Sequence, residues 1–208
     1  MKLKTLLLAA ALTSAFASAH ALTVTTSPVS TDSNVVRNPC GLAAATGVGT
    51  TIFGCLNDDH AQLVQFTSDE SLVYNGGQAS IAASDELFSR VSISLDGSDQ
   101  MSVVELNIDA SVDGFVTFSD GVNTSAAFAL DGNGENRFGI TGPFDTLTFV
   151  TYTGLPGNLV ESDIVADLKQ VRLSEQTAVI PEPETYALML AGLGAMGFVA
   201  RRRKQRAS

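Results

Sequence analysis

The sequence contains no tryptophan, only two cysteines and only two histidines among its 208 residues. His20 lies in an N-terminal leader, so His60 is the single histidine left for a folded domain. Most catalytic arrangements that use histidine as a base are therefore excluded. The chain also lacks G-x-S-x-G, H-E-x-x-H and a phosphate-binding loop, which are motifs with a known mechanism. These absences disfavour an enzyme.

Basic residues are scarce in the middle of the chain. Residues 22–180 contain five of them against 20 carboxylates, which gives this segment a formal charge of −15. Binding to nucleic acid requires a basic face that neutralises phosphates, and binding to anionic lipid requires a basic patch. The charge distribution therefore predicts no nucleic-acid partner. Apolar residues nevertheless make up 45% of the chain, enough for a packed core.

Residues 1–21 have the pattern of a secretory signal peptide. Lys2 and Lys4 form a basic start, an apolar run follows, and Ala19-His20-Ala21 fits the small-residue cleavage pattern. We expect cleavage before Leu22, with cleavage before His20 as the alternative. The expected partners are the Sec machinery and signal peptidase.

The C-terminal end predicts a single membrane-spanning helix. Residues 185–200 contain no charge, and a helix of this length spans about 24 Å, which is short for a hydrocarbon core of about 30 Å. A basic cluster follows and should stay in the cytoplasm as a stop-transfer signal; it consists of Arg201, Arg202, Arg203, Lys204 and Arg206. The segment between the two ends is then expected outside the cytoplasm.

The tripeptide Pro181-Glu182-Pro183 lies just before this helix, at the end of a linker covering residues 176–184. The tripeptide, the short apolar helix and the arginine cluster together closely resemble the PEP-CTERM protein-sorting tail. The resemblance implies an exported protein of a Gram-negative-type cell that is anchored transiently in the inner membrane. It also implies that an exosortase processes the chain near the tripeptide and that the product reaches the cell surface or an exopolysaccharide matrix. The resemblance implies no activity for the exported domain.

Residues 22–175 read as one β-rich domain. Apolar and polar residues alternate with period two in short segments that are separated by Asp-Gly and Gly-Gly turns. In residues 87–95, for example, Leu87, Val91, Ile93 and Leu95 share one face and Phe88 lies on the other. We expect an all-β fold, an antiparallel β-sandwich or barrel of about ten strands, most simply a jelly-roll-like sandwich. The predicted strands are 22–26, 50–55, 62–67, 71–74, 87–95, 101–110, 114–119, 124–130, 137–141, 146–153 and 167–173.

Two details of this reading stay open in the sequence. Residues 154–163 are expected to form a long loop, and 167–173 also fits a helical face through Ile164, Leu168 and Val171. Residues 130–141 and 164–173 resemble a turn and a last strand that are common in exported sandwich domains with this tail. Arg137 stands where those domains often have an aromatic residue.

The two cysteines, Cys40 and Cys55, both lie in the exported segment. An even number of cysteines in an oxidising compartment predicts a disulfide, here closing a loop of about 15 residues. The alternative is two unpaired thiols.

Oxygen ligands alternate at Asp131, Asn133 and Glu135, as at the start of a calcium loop. The remaining EF-hand positions do not match, so a glycine-rich hairpin turn is the simpler interpretation. A weak calcium site of another type would need Asp120, Asn123 and Asp145 to come close together, and the run Asp58-Asp59-His60 is a further metal candidate. We favour no metal or other cofactor.

These observations predict an exported, exosortase-sorted surface or matrix protein without catalytic activity. The first alternative is a calcium- or polysaccharide-binding module. Its aromatic stacking platform would be small, since Tyr74 and Tyr152 are the only tyrosines in the exported domain. Phe115, Phe118, Phe128, Phe138 and Phe149 lie in strand patterns and are expected in the core. The second alternative is a secreted hydrolase that uses two of the 20 carboxylates.

Overall fold

The structure is a computed structural model and describes residues 22–37, 40, 47–74, 80–97, 99–176 and 192–193. The first five ranges form part of a compact unit that ends at Gln176, and a second unit covers residues 177–208. The predicted signal peptide, the tripeptide, most of the helix and the basic cluster lie outside the described residues. Gly192 and Leu193, within the predicted helix, are helical.

The described part of residues 22–175 is an antiparallel all-β fold, as predicted, with thirteen strands rather than about ten. Every strand pairing is antiparallel. The strands are β1 (Thr23–Thr25), β2 (Ser33–Val36), β3 (Val48–Leu56), β4 (Leu63–Tyr74), β5 (Ile81–Ala83), β6 (Arg90–Leu95), β7 (Met101–Ala110), β8 (Gly114–Ser119), β9 (Phe128–Leu130), β10 (Glu135–Phe144), β11 (Thr146–Leu155), β12 (Asn158–Glu161) and β13 (Val165–Glu175).

The strands form one continuous sheet in the order β1-β10-β7-β13-β2-β3-β4-β6-β11-β8-β9. β12 adds to β11, and β5 bridges β13 and β4. Strands at opposite ends of this order nevertheless contact each other, because the ring of Phe118 on β8 lies 5.0 Å from the ring of Phe138 on β10. The sheet is therefore folded over, and its two halves enclose one apolar core.

A short segment between β1 and β2 crosses the outer face of one half. β1 pairs with β10, and β2 pairs with β13. Because β7 lies between β10 and β13 in the sheet, residues 26–32 must pass over β7. The N–H of Val29 donates to Glu105 Oε2 at 3.0 Å. A Cβ added at Gly139 would come within 2.4 Å of Val29 Cγ1, so the backbone of β10 must carry glycine there. This crossing explains why Glu105 is 4% exposed although it faces away from the core.

The predicted loop at 154–163 is wrong. β11 continues to Leu155 and β12 begins at Asn158, so only Pro156-Gly157 connects them. Proline followed by a glycine with positive φ is the pattern of a tight turn, and Gly157 has φ of +93°. The helical alternative for 167–173 is also wrong: this segment lies in β13, which has a bulge where Gln170 adopts φ of +53°.

Candidate functional site

The predicted disulfide is present in the structure. Cys40 and Cys55 are joined, with their Cα atoms 5.5 Å apart, a separation typical of disulfides. Cys55 is fully buried near the end of β3, and Cys40 follows β2. The bond therefore ties the end of β2 to its neighbour in the sheet, which pairs through Val36 and Cys55.

Tyr74 lies at the end of β4 and is 4% exposed. Its ring packs edge-on against Phe66 at a centroid distance of 6.4 Å, and the Arg37 guanidinium lies 5.9 Å from the ring centre. Burial raises the pKa of Tyr74, while Arg37 acts to lower it. The buried hydroxyl has no hydrogen-bond partner among the described residues. Tyr74 is therefore a core residue and not the stacking platform that a sugar-binding module would need.

The other tyrosine, Tyr152 on β11, is half-buried on an outer face opposite Phe115 of β8. The expectation that the phenylalanines belong to the core is right for Phe118, Phe138 and Phe149, which are buried. It is wrong for Phe115, because β8 turns this residue outward, in alternation with its buried neighbours.

The candidate calcium loop lies between β9 and β10 and is a turn held by its own hydrogen bonds. The N–H of Asn133 donates to Asp131 Oδ1 at 2.9 Å, and the N–H of Asp131 donates to Asn136 Oδ1 at 2.8 Å. Asn136 Nδ2 in turn donates to the carbonyls of Asp131 and Ile108. Glu135 does not join this group, because its carboxylate pairs with Arg137 at 3.0 Å.

The glycines of this turn allow close backbone contact. A Cβ added at Gly132 would meet backbone atoms of Val112 at 2.4 Å, and the N–H of Gly132 donates to Asp113 Oδ1 at 2.9 Å. Asn136 and Asp113 are thus the residues that fix the turn, and sequence reasoning missed both roles. The signal for Asn136 was its place just after a glycine-rich turn, where side-chain amides commonly bond the backbone.

A groove of about 610 Å³ opens beside this turn. The two carboxylates among its lining residues, Asp113 and Asp131, are exposed and accept backbone N–H groups of the turn. These bonds make them supports of the turn. The groove is lined by Asp113, Gly114, Phe115, Ala129, Leu130, Asp131, Asn133, Asn136 and Gly154.

The other metal candidates are engaged locally. Asp120 accepts the N–H groups of Val122 and Asn123 at 2.8 and 2.5 Å. Desolvation opposes a low pKa at Asp120, but these hydrogen bonds outweigh it and lower the pKa. Asp145 accepts Gln100 Nε2 at 2.9 Å.

In the run 58–60, Asp58 accepts the hydroxyl of Ser33, and Asp59 accepts the N–H of Ala61 at 3.0 Å. Across the described ranges, no three histidine, cysteine, aspartate or glutamate side chains are grouped so that they could hold a metal ion.

Acidic side chains also crowd together at a place that the sequence did not suggest. The pKa of Glu70, a half-buried residue near the middle of β4, is raised chiefly by the negative charge of Asp85. Desolvation and the charges of Asp163 and Asp69 add to this effect. Asp69 and Glu70 are adjacent in β4, but Asp85 and Asp163 come from other parts of the chain, so the fold brings these two to Glu70.

The C-terminal motif is the feature that comparison with known proteins identifies. The family model described as the PEP-CTERM protein-sorting motif matches residues 179–204. No curated protein and no solved structure matches the chain. Within the described residues there is no helix that is long and apolar enough to cross a membrane. The match contains the tripeptide Pro181-Glu182-Pro183, the apolar segment and the first basic residues, so the chain carries a PEP-CTERM protein-sorting motif, the signal for exosortase sorting, at residues 179–204.

Proposed function

We propose that this protein is a non-enzymatic component of the cell surface or extracellular matrix, released from its membrane anchor by exosortase. The observation that carries the proposal is the sorting motif at residues 179–204 behind an acidic all-β domain. The motif supports export and transient anchoring in the inner membrane of a Gram-negative-type cell. Signal peptidase and the Sec machinery would act on residues 1–21 first.

The exposure and the hydrogen-bond partners of the carboxylates support a non-enzymatic role. A glycosidase needs two carboxylates around a substrate cleft, one of them a protonated acid in an apolar setting. The two in the groove, Asp113 and Asp131, are exposed and hold the turn. Glu105, the most buried carboxylate among the described residues, accepts the N–H of Val29 and lies 3.6 Å from Arg172. A hydrolase therefore has less support than a binding or structural role.

Replacing Pro181-Glu182-Pro183 with three alanines tests the sorting part of the proposal. Export should remain intact because the signal peptide is unchanged, but the variant should stay in the inner-membrane fraction of a host that contains an exosortase. Alanine also removes the proline break, so the helix can extend upstream. The same substitution in a host without exosortase is the control, since wild type and variant should then fractionate alike. Release of the variant at the wild-type level would contradict the proposal.

Calcium binding is the rival that the Asp131 turn raises. Calorimetric titration of the full chain with calcium should give no saturable heat. Saturable heat that is lost in Asp131→Asn would instead favour a calcium-binding module.

A further inference from the structure

One outer face of the sheet carries hydroxyl groups in register across five neighbouring strands. β3, β4, β6, β11 and β8 follow one another in the sheet. Their cross-strand partners place Thr51 beside Thr67, Thr67 beside Ser92, Ser92 beside Thr148, and Thr148 beside Ser119. Neighbouring strands lie about 4.8 Å apart, so this row extends over about 19 Å.

These hydroxyls face away from the core. Residues along a strand alternate between its two faces, and the neighbours of the row point inward: Ile52, Phe66, Ile93, Phe149 and Phe118 are fully buried. The five hydroxyl residues are each half-buried, as expected for side chains that stand close together on an open sheet face.

A second uncharged row lies next to the first. Phe53, Gln65, Ser94 and Thr146 are cross-strand partners on β3, β4, β6 and β11, and all four are half-buried. We call the two rows together the hydroxyl face. None of its nine residues is charged, although the exported segment has a formal charge of −15.

The opposite half of the sheet shows that this neutrality is local. On the outer face of β10, β7 and β13, Lys169 pairs with Asp109 at 2.5 Å, Arg137 pairs with Glu135 at 3.0 Å, and Arg172 lies 3.6 Å from Glu105. The outer face of β10, β7 and β13 thus carries three ion pairs, whereas the nine residues of the hydroxyl face carry no charge. The ion pair of Arg90 with Glu161, at 2.9 Å, lies beside the hydroxyl face, where β6 begins.

The hydroxyl face is also held in a fixed arrangement. The hydroxyls of Ser92 and Thr148 lie 2.8 Å apart, and those of Thr51 and Thr67 lie 3.3 Å apart. Gln65 Nε2 donates to Thr67 Oγ1 at 3.0 Å. A hydroxyl has one donor and two acceptor positions, so each retains capacity for an external partner. Groups oriented by rigid strands lose little further freedom when a ligand binds.

We infer that the hydroxyl face binds a neutral polysaccharide. Sugar hydroxyls are uncharged groups that donate and accept, which matches a regular row of threonine and serine hydroxyls. Binding a neutral polymer here removes no charged side chain from water, which would otherwise be costly. An anionic polymer would be repelled by the net negative charge of the domain. Tyr152 and Phe115, partly exposed at the neighbouring end of β11 and β8, add apolar surface for the sugar rings.

The inference rests on the proposed function at one point, since delivery to a matrix is what brings the domain to such a polymer. The binding itself can be measured without exosortase. Failure of binding would leave the processing result unaffected, and failure of processing would leave the binding result unaffected.

The test is affinity electrophoresis of the full chain in mild detergent, in gels that contain a soluble β-glucan, a mannan or a galactan, with polygalacturonate as the anionic comparison. We expect retardation by at least one neutral polymer and none by polygalacturonate. Thr67→Val/Thr148→Val should raise the Kd for that polymer about tenfold, because two hydrogen bonds to the ligand are lost. Valine keeps the volume and the strand preference of threonine. Thr67→Ser/Thr148→Ser keeps both hydroxyls and should bind within about twofold of wild type.

The matched control is Thr23→Val/Thr141→Val. These two threonines are also cross-strand partners, but they lie on β1 and β10, away from the hydroxyl face. The control should bind like wild type. The inference is overturned if none of the three neutral polymers retards the chain, if polygalacturonate retards it equally, or if the control loses as much binding as the test pair. It is also overturned if Thr67→Val/Thr148→Val prevents dimerisation of the chain and leaves polysaccharide binding unchanged, since a second copy of the chain would then occupy the hydroxyl face.

Discussion

Removing the disulfide should cost the domain a large part of its stability. Cys40 and Cys55 are 15 residues apart, and cross-linking a loop of that length lowers the entropy of the unfolded chain by an amount worth about 3 kcal/mol. For a chain of this size, each kcal/mol corresponds to about 2–4 °C in melting temperature, so reduction should lower it by about 6–12 °C.

The assay is equilibrium unfolding in urea, with and without dithiothreitol, on the wild type and on Cys40→Ala/Cys55→Ala. Dithiothreitol should lower the free energy of unfolding of the wild type by about 3 kcal/mol. It should leave the double variant unchanged, because the chain has only these two cysteines. The variant also loses the buried sulfur of Cys55, so it should be slightly less stable than the reduced wild type. A wild type that responds to reduction by less than about 1 kcal/mol would refute the cross-link as a stabilising element.

Two further predictions concern the core and the acidic crowding. Phe118→Ala should lower the free energy of unfolding by about 3–5 kcal/mol, because this fully buried ring contacts Phe138 across the folded sheet. The control is Val122→Ala, at a side chain that is 91% exposed, and it should change the free energy of unfolding little. Equal effects of the two substitutions would contradict the proposed core. Glu70→Gln should stabilise the domain at pH 7, because the raised pKa of Glu70 means that the folded state disfavours its charge. This gain should disappear as the pH falls below about 4 and the unfolded chain also binds the proton; a gain that stays constant from pH 7 to pH 3 in urea titrations would show that charge repulsion is not its cause.

The core strands could be predicted because their signal is local. In residues 101–110, Val104, Leu106 and Ile108 alternate with polar residues, and all three are fully buried. The same rule failed just before β6, where Phe88 was assigned to the outer face but is fully buried. The backbone bends at Ser89, between the isolated bridge of Phe88 to Val165 and the start of β6 at Arg90, so the alternation seen from Arg90 onward does not extend back to Phe88.

Features that depend on distant pairing could not be predicted. Glu105 and Asn107 occupy polar positions of β7, yet they are 4% and 2% exposed. Burial of Glu105 comes from Val29, which is 76 residues away in the sequence. β5 and β12 have only three and four residues, too few for a periodic signal.

The hydroxyl face illustrates the same limit at a candidate site. Alternating Ser92 and Ser94, or Thr146 and Thr148, are visible in the sequence as polar positions of strands. Their alignment with Thr67 depends on the register between β4, β6 and β11, which only the fold determines. The sorting tail, in contrast, is a contiguous motif, and the sequence was sufficient to identify it.

The central claim is that exosortase removes the C-terminal tail, and intact mass measures this most directly. The full chain has a mass of 21.7 kDa. In a host with an exosortase, we expect the surface or extracellular product to begin at Leu22 and to end near Pro181-Glu182-Pro183, without residues 185–208. A mature product whose mass still includes residues 185–208 would contradict the claim and leave a permanently anchored protein.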